Sequence, residues 1–465
     1  MVGVGTAAGS GTAGSRCVPV PVSASLSRAV ARHGPGTTFC LARGVHHLQS
    51  PVVPKDGDTF RGAHGAVLSG AVDLRFNQVG ALWVAAAPGL SDAGEGECQR
   101  EFPACTQPND VFWDNRPLRR SSGLQGLKGG SYYVDQAAKT ITVTRNPRGH
   151  KVEVSVGQGA FKGWRTGVDD VTIRGLRIEK FANPAGLGAI NARPSWRVIG
   201  NTIRLNHGTG VQDAHLIRGN RIVQNGQLGV VISFGTNVVI SNNVISFNNY
   251  AGYDPNWEAG GAKWVRSKHV LVQRNRVVGN RGPGLWSDGD DIYVTYANNR
   301  VSGNTGPGIL HEISYNAVIR NNVVAGNGTD GGGWVDGAGI LLADSSNVRV
   351  EHNVVSKNRD GIGLTQTDRG SGSYGPYEIR NDIVTGNRIT MNKGHTGLVQ
   401  NVGDSSYFTQ KGNAFDRNVY FLGCGSAYFA WADPRGHNDY AWVTTKQWQA
   451  AGNDRHGRFH SSCHS

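Results

Sequence analysis

The chain has 465 residues, a length that allows several ordinary domains or one long repeat fold. It contains 67 glycines and 38% hydrophobic residues, a composition that excludes a collagen-like or disordered chain. The formal net charge of +13 favours anionic partners, such as acidic polysaccharide, cell-wall polymer or nucleic acid. We expect no nucleic-acid partner, because the chain has neither an aromatic RNA-binding signature nor a basic helix.

Residues 1–20 are predicted to form a flexible tail, and residues 21–97 the first turns of a coil. The stretch from Gly36 to Gly70 already has short strands separated by glycine-rich turns. Residues 98–160 break this rhythm with the sequence GSYYVDQAAKTITVTRNP, which indicates an inserted β subdomain.

Pairs of asparagines spaced five residues apart recur through the middle of the chain. Successive pairs are 19 to 32 residues apart and enclose short β-branched runs, which is typical of a solenoid whose repeats complete a shared core. We therefore predict an all-β fold, a right-handed parallel β-helix over residues 161–405. The asparagines are expected to occupy left-handed corners and to hydrogen-bond from turn to turn. The first members of the pairs are Asn201, Asn220, Asn243, Asn275, Asn299, Asn322, Asn353 and, less regularly, Asn387.

The tail, residues 406–465, is predicted to cap the last turn, because an open sheet edge invites aggregation. Six cysteines lie near the two ends of the chain, and we expect three local disulfides. Disulfides indicate an oxidising compartment, so the protein is predicted to be secreted, although Met1 to Arg16 lacks the apolar core of an export signal. No run is long and apolar enough for membrane insertion. The expected pairs are Cys17 with Cys40, Cys98 with Cys105, and Cys424 with Cys463.

Two insertions interrupt the repeat, Asn249 to Gly261 and Gly328 to Gly339, and they are predicted to wall a cleft. The loop Gln366 to Tyr377 is expected to lengthen it. Between the insertions the chain repeats itself: GPGLWSD begins at Gly282 and GPGILHE begins at Gly306.

Side chains alternate along a strand, so Leu285 is expected inside the coil, with Trp286 and Asp288 outside. Glu312 has the same phase one turn later, and Lys263 is expected outward beside Trp286. Neighbouring strands lie about 4.8 Å apart, so the two carboxylates should be separated by roughly the 5 to 5.5 Å found in retaining glycosidases. Two like charges at this distance leave one group ionised and one protonated near neutral pH.

Lys263 and Glu258 are predicted to orient and tune this pair. Five further side chains are candidates for substrate binding, the tryptophans because their rings can stack on sugar faces. They are Trp257, Trp264, Trp286, His311 and Trp334.

The segment from Gly282 to Asn327 resembles the β-helix family of retaining β-xylosidases, within the pectate-lyase-like superfold. That family has a G-L/I-W-x-D turn, then an E-V/I-S/N element, then an Asn-Asn turn. The corresponding stretches here are Gly284-Leu285-Trp286-Ser287-Asp288, Glu312-Ile313-Ser314 and Asn321-Asn322. The resemblance implies that Asp288 is the nucleophile and Glu312 the general acid/base. Where the family has His-Gly-Pro this chain has Tyr315-Asn316-Ala317, so the resemblance does not extend to the sugar.

Three functions follow as hypotheses. The first is a retaining glycoside hydrolase that needs no cofactor and acts on a polysaccharide or oligosaccharide, for which the basic charge allows an acidic one. The second is a calcium-dependent polysaccharide lyase or uronate epimerase, with Lys263 as the base and Asp288, Glu312 and Glu258 as calcium ligands. The third is a non-catalytic polysaccharide-binding solenoid. The sequence does not predict the oligomeric state.

Overall fold

The computed structural model of the protein describes residues 17–432 and 440–461. Three long sheets run along this part of the chain, and successive turns of the coil add one strand to each sheet. The pairing is parallel and in register: Ile217 lies opposite Ile240, which lies opposite Val272. The chain is therefore a parallel β-helix, as the asparagine repeat predicts.

The first sheet has thirteen strands. They are Val18–Val20, Thr38–Leu41, Thr59–Gly62, Thr172–Arg174, Arg197–Ile199, Leu216–Arg218, Val239–Ser241, Leu271–Gln273, Ile292–Ala297, Tyr315–Arg320, Ser346–Glu351, Ile383–Thr385 and Ala414–Asp416. The second sheet also has thirteen. They are Gly44–His47, Ala66–Ser69, Arg177–Glu179, Thr202–Arg204, Arg221–Val223, Val244–Ser246, Arg276–Val278, Arg300–Ser302, Val323–Ala325, Val354–Ser356, Arg388–Met391, Val419–Leu422 and Arg458–Ser461.

The third sheet has twelve strands and carries the site described below. Only its last pair is antiparallel. The strands are Phe161–Lys162, Gly188–Asn191, Thr209–Gln212, Leu228–Ser233, Gly260–Val265, Leu285–Asp288, Ile309–Glu312, Ala338–Ala343, Asp360–Gln366, Thr396–Gln400, Phe429–Trp431 and Ala441–Val443.

The asparagine ladder is confirmed, with one correction to its geometry. The Asn299 amide Nδ2 donates to Oδ1 of Asn322 at 3.0 Å, and the neighbouring turns repeat this contact. The left-handed backbone conformation belongs to the residue before each ladder asparagine, for example Asn298 and Asn321, with φ of 58° and 55°. That corner directs the following asparagine side chain into the interior, where it satisfies backbone groups that water cannot reach.

Both ends of the coil are covered. The helix Leu26–Arg32 buries Leu26 and Val30 against the first turn.

At the other end the ladder stops at Asp454, whose Oδ1 accepts from the backbone N–H and the Nδ2 of Asn418, each at 3.0 Å. The helix Thr445–Ala450 buries Trp448 there. Parallel coil strands continue into this region, as far as Arg458–Ser461 in the second sheet, so part of the predicted cap is in fact the last turns of the helix. The remaining helical turns are Leu124–Gly126, Pro255–Glu258 and Ser406–Thr409.

The inserted subdomain consists of two small sheets and begins near residue 71, earlier than the predicted residue 98. Its first strands are as short and as glycine-flanked as those of the coil, and only their antiparallel pairing distinguishes them. The strands of one sheet are Ala71–Asp73, Val111–Trp113, Arg116–Pro117 and Val152–Ser155. Those of the other are Phe76–Val79, Leu82–Ala86, Arg119–Arg120, Ser131–Asp135 and Thr140–Val143. A separate hairpin joins Ser371–Gly372 and Gly375–Pro376.

Two of the predicted disulfides are present, Cys17–Cys40 and Cys98–Cys105. The third expected pair involves Cys463, which lies outside the described residues, as does most of the predicted tail 1–20. Within the described ranges, no helix is long and apolar enough to cross a membrane.

Candidate active site

Asp288 and Glu312 end two neighbouring strands of the third sheet and lie directly opposite each other. Leu285 and Ser287, the alternate residues of the first of these strands, are fully buried inside the coil. The two carboxylates therefore point outward, one strand spacing of about 4.8 Å apart along the sheet. This arrangement confirms the register that the repeated Gly-Pro-Gly segments predict.

Lys263 lies on the preceding strand, opposite Trp286 as predicted. Its Nζ is 2.7 Å from Oδ2 of Asp288, 3.5 Å from Oε1 of Glu258 and 3.9 Å from the centre of the Trp286 ring. Only 6% of the Lys263 side chain is exposed, so the contacts with two carboxylates and an indole face replace the water around the ammonium. Lys263 thus neutralises the carboxylate of Asp288 from below the cleft.

Glu312 is held by two donors. Its Oε1 accepts from Nη1 of Arg369 at 2.9 Å, and its Oε2 accepts from the Trp286 indole N–H at 3.0 Å. Burial raises the pKa of Glu312 above the usual range and the charge of Asp288 adds to this, while Arg369 and Trp286 act in the opposite direction. Glu312 is therefore the member of the pair whose surroundings favour a retained proton.

A cleft of about 820 Å³ opens over this pair. The two insertions and the later loop that were predicted to wall it all contribute to its lining, through Asp254, Asp330 and Arg369 among others. A further wall was not predicted: Gln99 to Glu101, within the loop closed by the Cys98–Cys105 disulfide, reach the cleft from the inserted subdomain. Two backbone hydrogen bonds, from the Gln99 N–H to the Gly252 carbonyl and from the Asp254 N–H to the Glu97 carbonyl, hold this loop against the first insertion.

The charge of the cleft is opposite to that of the whole chain. Seven acidic residues line it, against two arginines, Arg100 and Arg369. Arg369 is already paired with Glu312. The acids are Glu101, Asp254, Asp288, Glu312, Asp330, Asp336 and Asp344.

Sequence reasoning missed Arg369 and Asp344. Asp344 follows Ala343, which lies opposite Glu312 on the next strand. Burial raises the pKa of Asp344 to about 6, opposed by hydrogen bonds from Thr367. No motif marks either residue. The repeat does place both segments beside Glu312, and an inspection of charged residues in the Gln366–Tyr377 loop would have singled out Arg369.

Two of the predicted substrate-binding residues are misplaced. Trp264 is fully buried and its indole N–H donates to Oγ of Ser287 inside the coil. His311 is also fully buried, one position before Glu312, and its ring packs edge-on against Tyr296 at 6.3 Å. Both residues occupy inward phases of their strands, so neither side chain can reach a ligand in the cleft. The correct phase for an outward side chain is that of Trp286 and Glu312.

Of the other aromatic candidates, Trp286 lies at the centre of the site and Trp257 and Trp334 lie at its edge. Trp286 lines the cleft and links Lys263 to Glu312. Trp257 stacks on Tyr253 at 5.9 Å, and Trp334 packs edge-on against Tyr440 at 6.0 Å. These two rings are partly buried by such neighbours and support the cleft walls, whereas the cleft lining itself is formed by other residues of the same insertions.

Asp291 anchors the end of the Asp288 strand from the inside. It is fully buried, and its carboxyl group accepts the backbone N–H groups of Ser267 at 2.7 Å and of Asp288 at 3.2 Å. Burial raises the pKa of Asp291 well above its usual range. The adjacent turn residue Asp290 instead accepts from Ser373 and Tyr377. Asp291 therefore fixes the backbone that carries the outward carboxylate.

In the described ranges, no three acidic, histidine or cysteine side chains come close enough together to hold a metal ion. The calcium set of the lyase hypothesis was Asp288, Glu312 and Glu258. The Lys263 ammonium contacts both Glu258 and Asp288 and so occupies the position between them.

Comparisons with known proteins agree with this architecture. A family model described as a right-handed β-helix region matches residues 185–338 and 297–375. No curated protein matches the chain. Among solved structures, the complex of XylC with xylose has a TM-score of 0.62 at 15% identity, covering 87% of this chain and 84% of that one.

Two other solved structures show weaker likeness. The Azotobacter vinelandii mannuronan C-5 epimerase AlgE6 A-module has a TM-score of 0.49 at 14% identity, covering 94% of this chain and 93% of that one. The catalytic domain of a GH87 alpha-1,3-glucanase in complex with tetrasaccharides has a TM-score of 0.44 at 12% identity, covering 90% and 66%. The family model and the XylC likeness establish the fold: the chain is a right-handed parallel β-helix.

Proposed function

We propose that the protein is a secreted, retaining glycoside hydrolase, with Asp288 as nucleophile and Glu312 as general acid/base. The observation that carries this proposal is the pairing of these two carboxylates on adjacent strands of the cleft floor. Their surroundings differ in the required sense, since Lys263 contacts Asp288 and burial raises the pKa of Glu312. A separation of one strand spacing leaves no room for a water molecule between the two carboxyl groups, and it therefore suits the double-displacement mechanism of retaining enzymes.

In the first step Asp288 attacks the anomeric carbon while Glu312 gives its proton to the leaving glycosidic oxygen. The negative charge of Asp288 disappears when the glycosyl ester forms. Lys263 then keeps Glu258 as its counter-charge at 3.5 Å, so the buried ammonium is not left unpaired.

In the second step Glu312 removes a proton from the water that attacks the glycosyl ester, and the sugar leaves with its configuration retained. Loss of the Asp288 charge removes one of the causes that raise the pKa of Glu312, while the Arg369 contact persists. The protonated form of Glu312, which acts as the acid, is thus favoured before the ester forms, and the ionised form, which acts as the base, is favoured after it. The same pair of residues serves both steps without a cofactor.

The charge of the cleft supports a hydrolase of uncharged glycans over the lyase or epimerase alternative. A uronate polymer would enter a cleft with seven acids and two arginines, and would meet repulsion instead of a counter-ion. Lys263, which the lyase hypothesis requires as a base, has its Nζ in contact with the carboxylates of both Glu258 and Asp288. A calcium-dependent lyase would give unsaturated products that a chelator abolishes, and an epimerase would change the configuration of the uronate without cleavage.

The first experiment is a screen of neutral polysaccharides, polyuronates and 4-nitrophenyl glycosides, with and without chelator. New reducing ends and unsaturated-uronate absorbance are followed together for the wild type, Asp288→Ala and Glu312→Gln. The proposal expects reducing ends from neutral substrates only, insensitive to chelator, with losses of at least about 10³-fold in Asp288→Ala. Unsaturated products would instead establish the lyase. Binding without cleavage, unaffected by both substitutions, would establish a non-catalytic solenoid.

The roles of the two carboxylates are separated by rescue with azide on an activated aryl glycoside. With Asp288→Ala, azide replaces the nucleophile and gives a glycosyl azide of inverted configuration. With Glu312→Ala, azide attacks the glycosyl ester and gives a glycosyl azide of retained configuration. Proton NMR of the product distinguishes the two, and the opposite pattern would reverse the assignment.

A further inference from the structure

A second groove lies on the outer side of the third sheet, among the early turns of the coil. It encloses about 420 Å³ and is lined by Trp164, Leu187 and Phe234. These are three of the fourteen large apolar side chains that the described part of the chain exposes, at 45%, 37% and 67%. Single exposed apolar residues are ordinary, but three around one groove indicate a binding surface.

The two aromatic rings stand at opposite ends of the groove, in line with the axis of the coil. Trp164 follows the strand Phe161–Lys162, and Phe234 follows Leu228–Ser233, three strands further along the sheet. Three strand spacings amount to about 14 Å. This is a span suited to a short stretch of an extended chain that runs parallel to the axis.

Gln212, Asp213 and Arg193 line the groove between the rings, and Arg193 is paired with Asp169 at 3.1 Å. The backbone N–H of Trp164 donates to Oδ1 of Asn191 at 3.0 Å, and Nδ2 of Asn191 donates to Oε1 of Gln212 at 2.8 Å. The next residue, Asp213, accepts the backbone N–H of Ser233 at 2.7 Å. The guanidinium of Arg165 stacks on the Trp164 ring at 4.0 Å, which leaves the other ring face for a ligand.

The groove is aligned with the catalytic pair. Phe234 directly follows Ser233, which lies opposite Val265. Val265 follows Trp264, which lies opposite Ser287, so Val265 is at the level of Asp288 on the next strand. Phe234 is thus two strand spacings, about 10 Å, from the level of Asp288 along the same edge of the sheet. A chain bound between Trp164 and Phe234 would point toward the cleft.

We propose that this groove binds an extended, uncharged glycan as a second site for the polymer that the cleft cleaves. The inference rests on the proposed function for the identity of the polymer. A sugar ring has an apolar face that stacks on an aromatic ring and a rim of hydroxyls that bond to amides and carboxyls, which is the combination found here. A protein partner would need a continuous apolar centre, whereas the two rings here are separated by polar side chains.

The test measures binding without cleavage, in an Asp288→Ala background, so that a failure of the hydrolase proposal does not affect it. Trp164→Ala and Phe234→Ala, alone and together, are run in native gels that contain arabinoxylan, mixed-linkage β-glucan or glucomannan. Neutral polymers are used because the net charge of +13 would attract any polyanion. The matched control is Phe247→Ala, an aromatic residue 57% exposed at an equivalent left-handed corner that follows a strand of the second sheet.

We expect at least one polymer to retard the Asp288→Ala protein, with dissociation constants raised about ten-fold or more in the Trp164 and Phe234 variants and unchanged in the control. Melting temperatures equal to that of the parent confirm that the variants are folded. The proposal is overturned if no polymer retards the parent, or if both groove variants are retarded as strongly as the control.

Discussion

The Trp286 indole N–H donates to Glu312, while the face of the same ring lies 3.9 Å from the Lys263 ammonium. One side chain therefore touches both Glu312, whose pKa is raised by burial, and the cation that neutralises Asp288. Because Trp286 is only 6% exposed, it also closes the floor of the cleft over Lys263.

Lys263→Met is expected to lower kcat on an aryl glycoside by about 10²-fold, because Asp288 and Glu258 then face each other without the cation. The same loss is expected to destabilise the fold by about 2 kcal/mol. Lys263→Arg keeps the charge and is the control. Initial rates and denaturant unfolding measure the two effects, and wild-type rates in the methionine variant would remove Lys263 from the site.

Arg369→Met is expected to raise the pKa of Glu312 further, since the guanidinium opposes the effect of burial. Glu312 must be protonated for the first step, so activity falls as pH rises through its pKa. The basic limb of the kcat/KM profile should therefore move to higher pH in Arg369→Met and stay in place in Arg369→Lys. A basic limb that moves to lower pH would contradict the role of Glu312 as the acid.

His311→Leu tests the correction that places this histidine in the core. Burial lowers the pKa of His311 to about 3. The folded protein keeps the ring neutral while the unfolded chain protonates it near pH 6.5, so stability is lost as pH falls from about 6.5 toward 3. His311→Leu should retain activity and show a flatter loss of melting temperature over that range. A large loss of activity at unchanged stability would restore His311 to the substrate site.

Asn299→Ala is expected to destabilise the coil by about 2 to 3 kcal/mol, because it removes the donor to the Val272 carbonyl and the acceptor of the backbone N–H and Nδ2 of Asn275. Asn392→Ala, at an exposed position, is the control and should change stability by less than about 0.5 kcal/mol. Denaturant unfolding followed by circular dichroism measures both. Equal effects of the two substitutions would deny the ladder its structural role.

Much of the fold could be predicted because a β-helix repeats its local chemistry. The asparagine pairs gave the turns, and alternation along the Leu285–Asp288 strand gave the facing carboxylates. The same alternation predicts that Trp264 and His311 point into the coil. Both were assigned to the substrate site because of their residue types, without applying the alternation. The repeat places the segment of Arg369 near Glu312, but the contact between the two side chains depends on the path of the Gln366–Tyr377 loop, which no motif marks.

The start of the inserted subdomain illustrates a second limit. The strands Ala71–Asp73 and Phe76–Val79 have the length and the turn residues of coil strands. Whether such a strand pairs with its successor or with a distant partner is decided by contacts across the fold, and those leave no local pattern. The net charge of the chain also failed to predict the charge of the cleft, because the acidic residues that line the cleft are outnumbered by basic residues elsewhere in the chain.

The ladder that ends at Asp454 has a direction. Each asparagine accepts from the turn before and donates to the turn after, so the column needs a final group that only accepts. A carboxylate meets this need for Asn418, and its second oxygen is occupied by Tyr420 and Trp448. Because the Asp454 carboxylate has no donor, the ladder ends at this residue. Another coil stacked on this end would find no side-chain amide to continue the pattern. The carboxylate therefore protects the end of the repeat fold against growth into fibres.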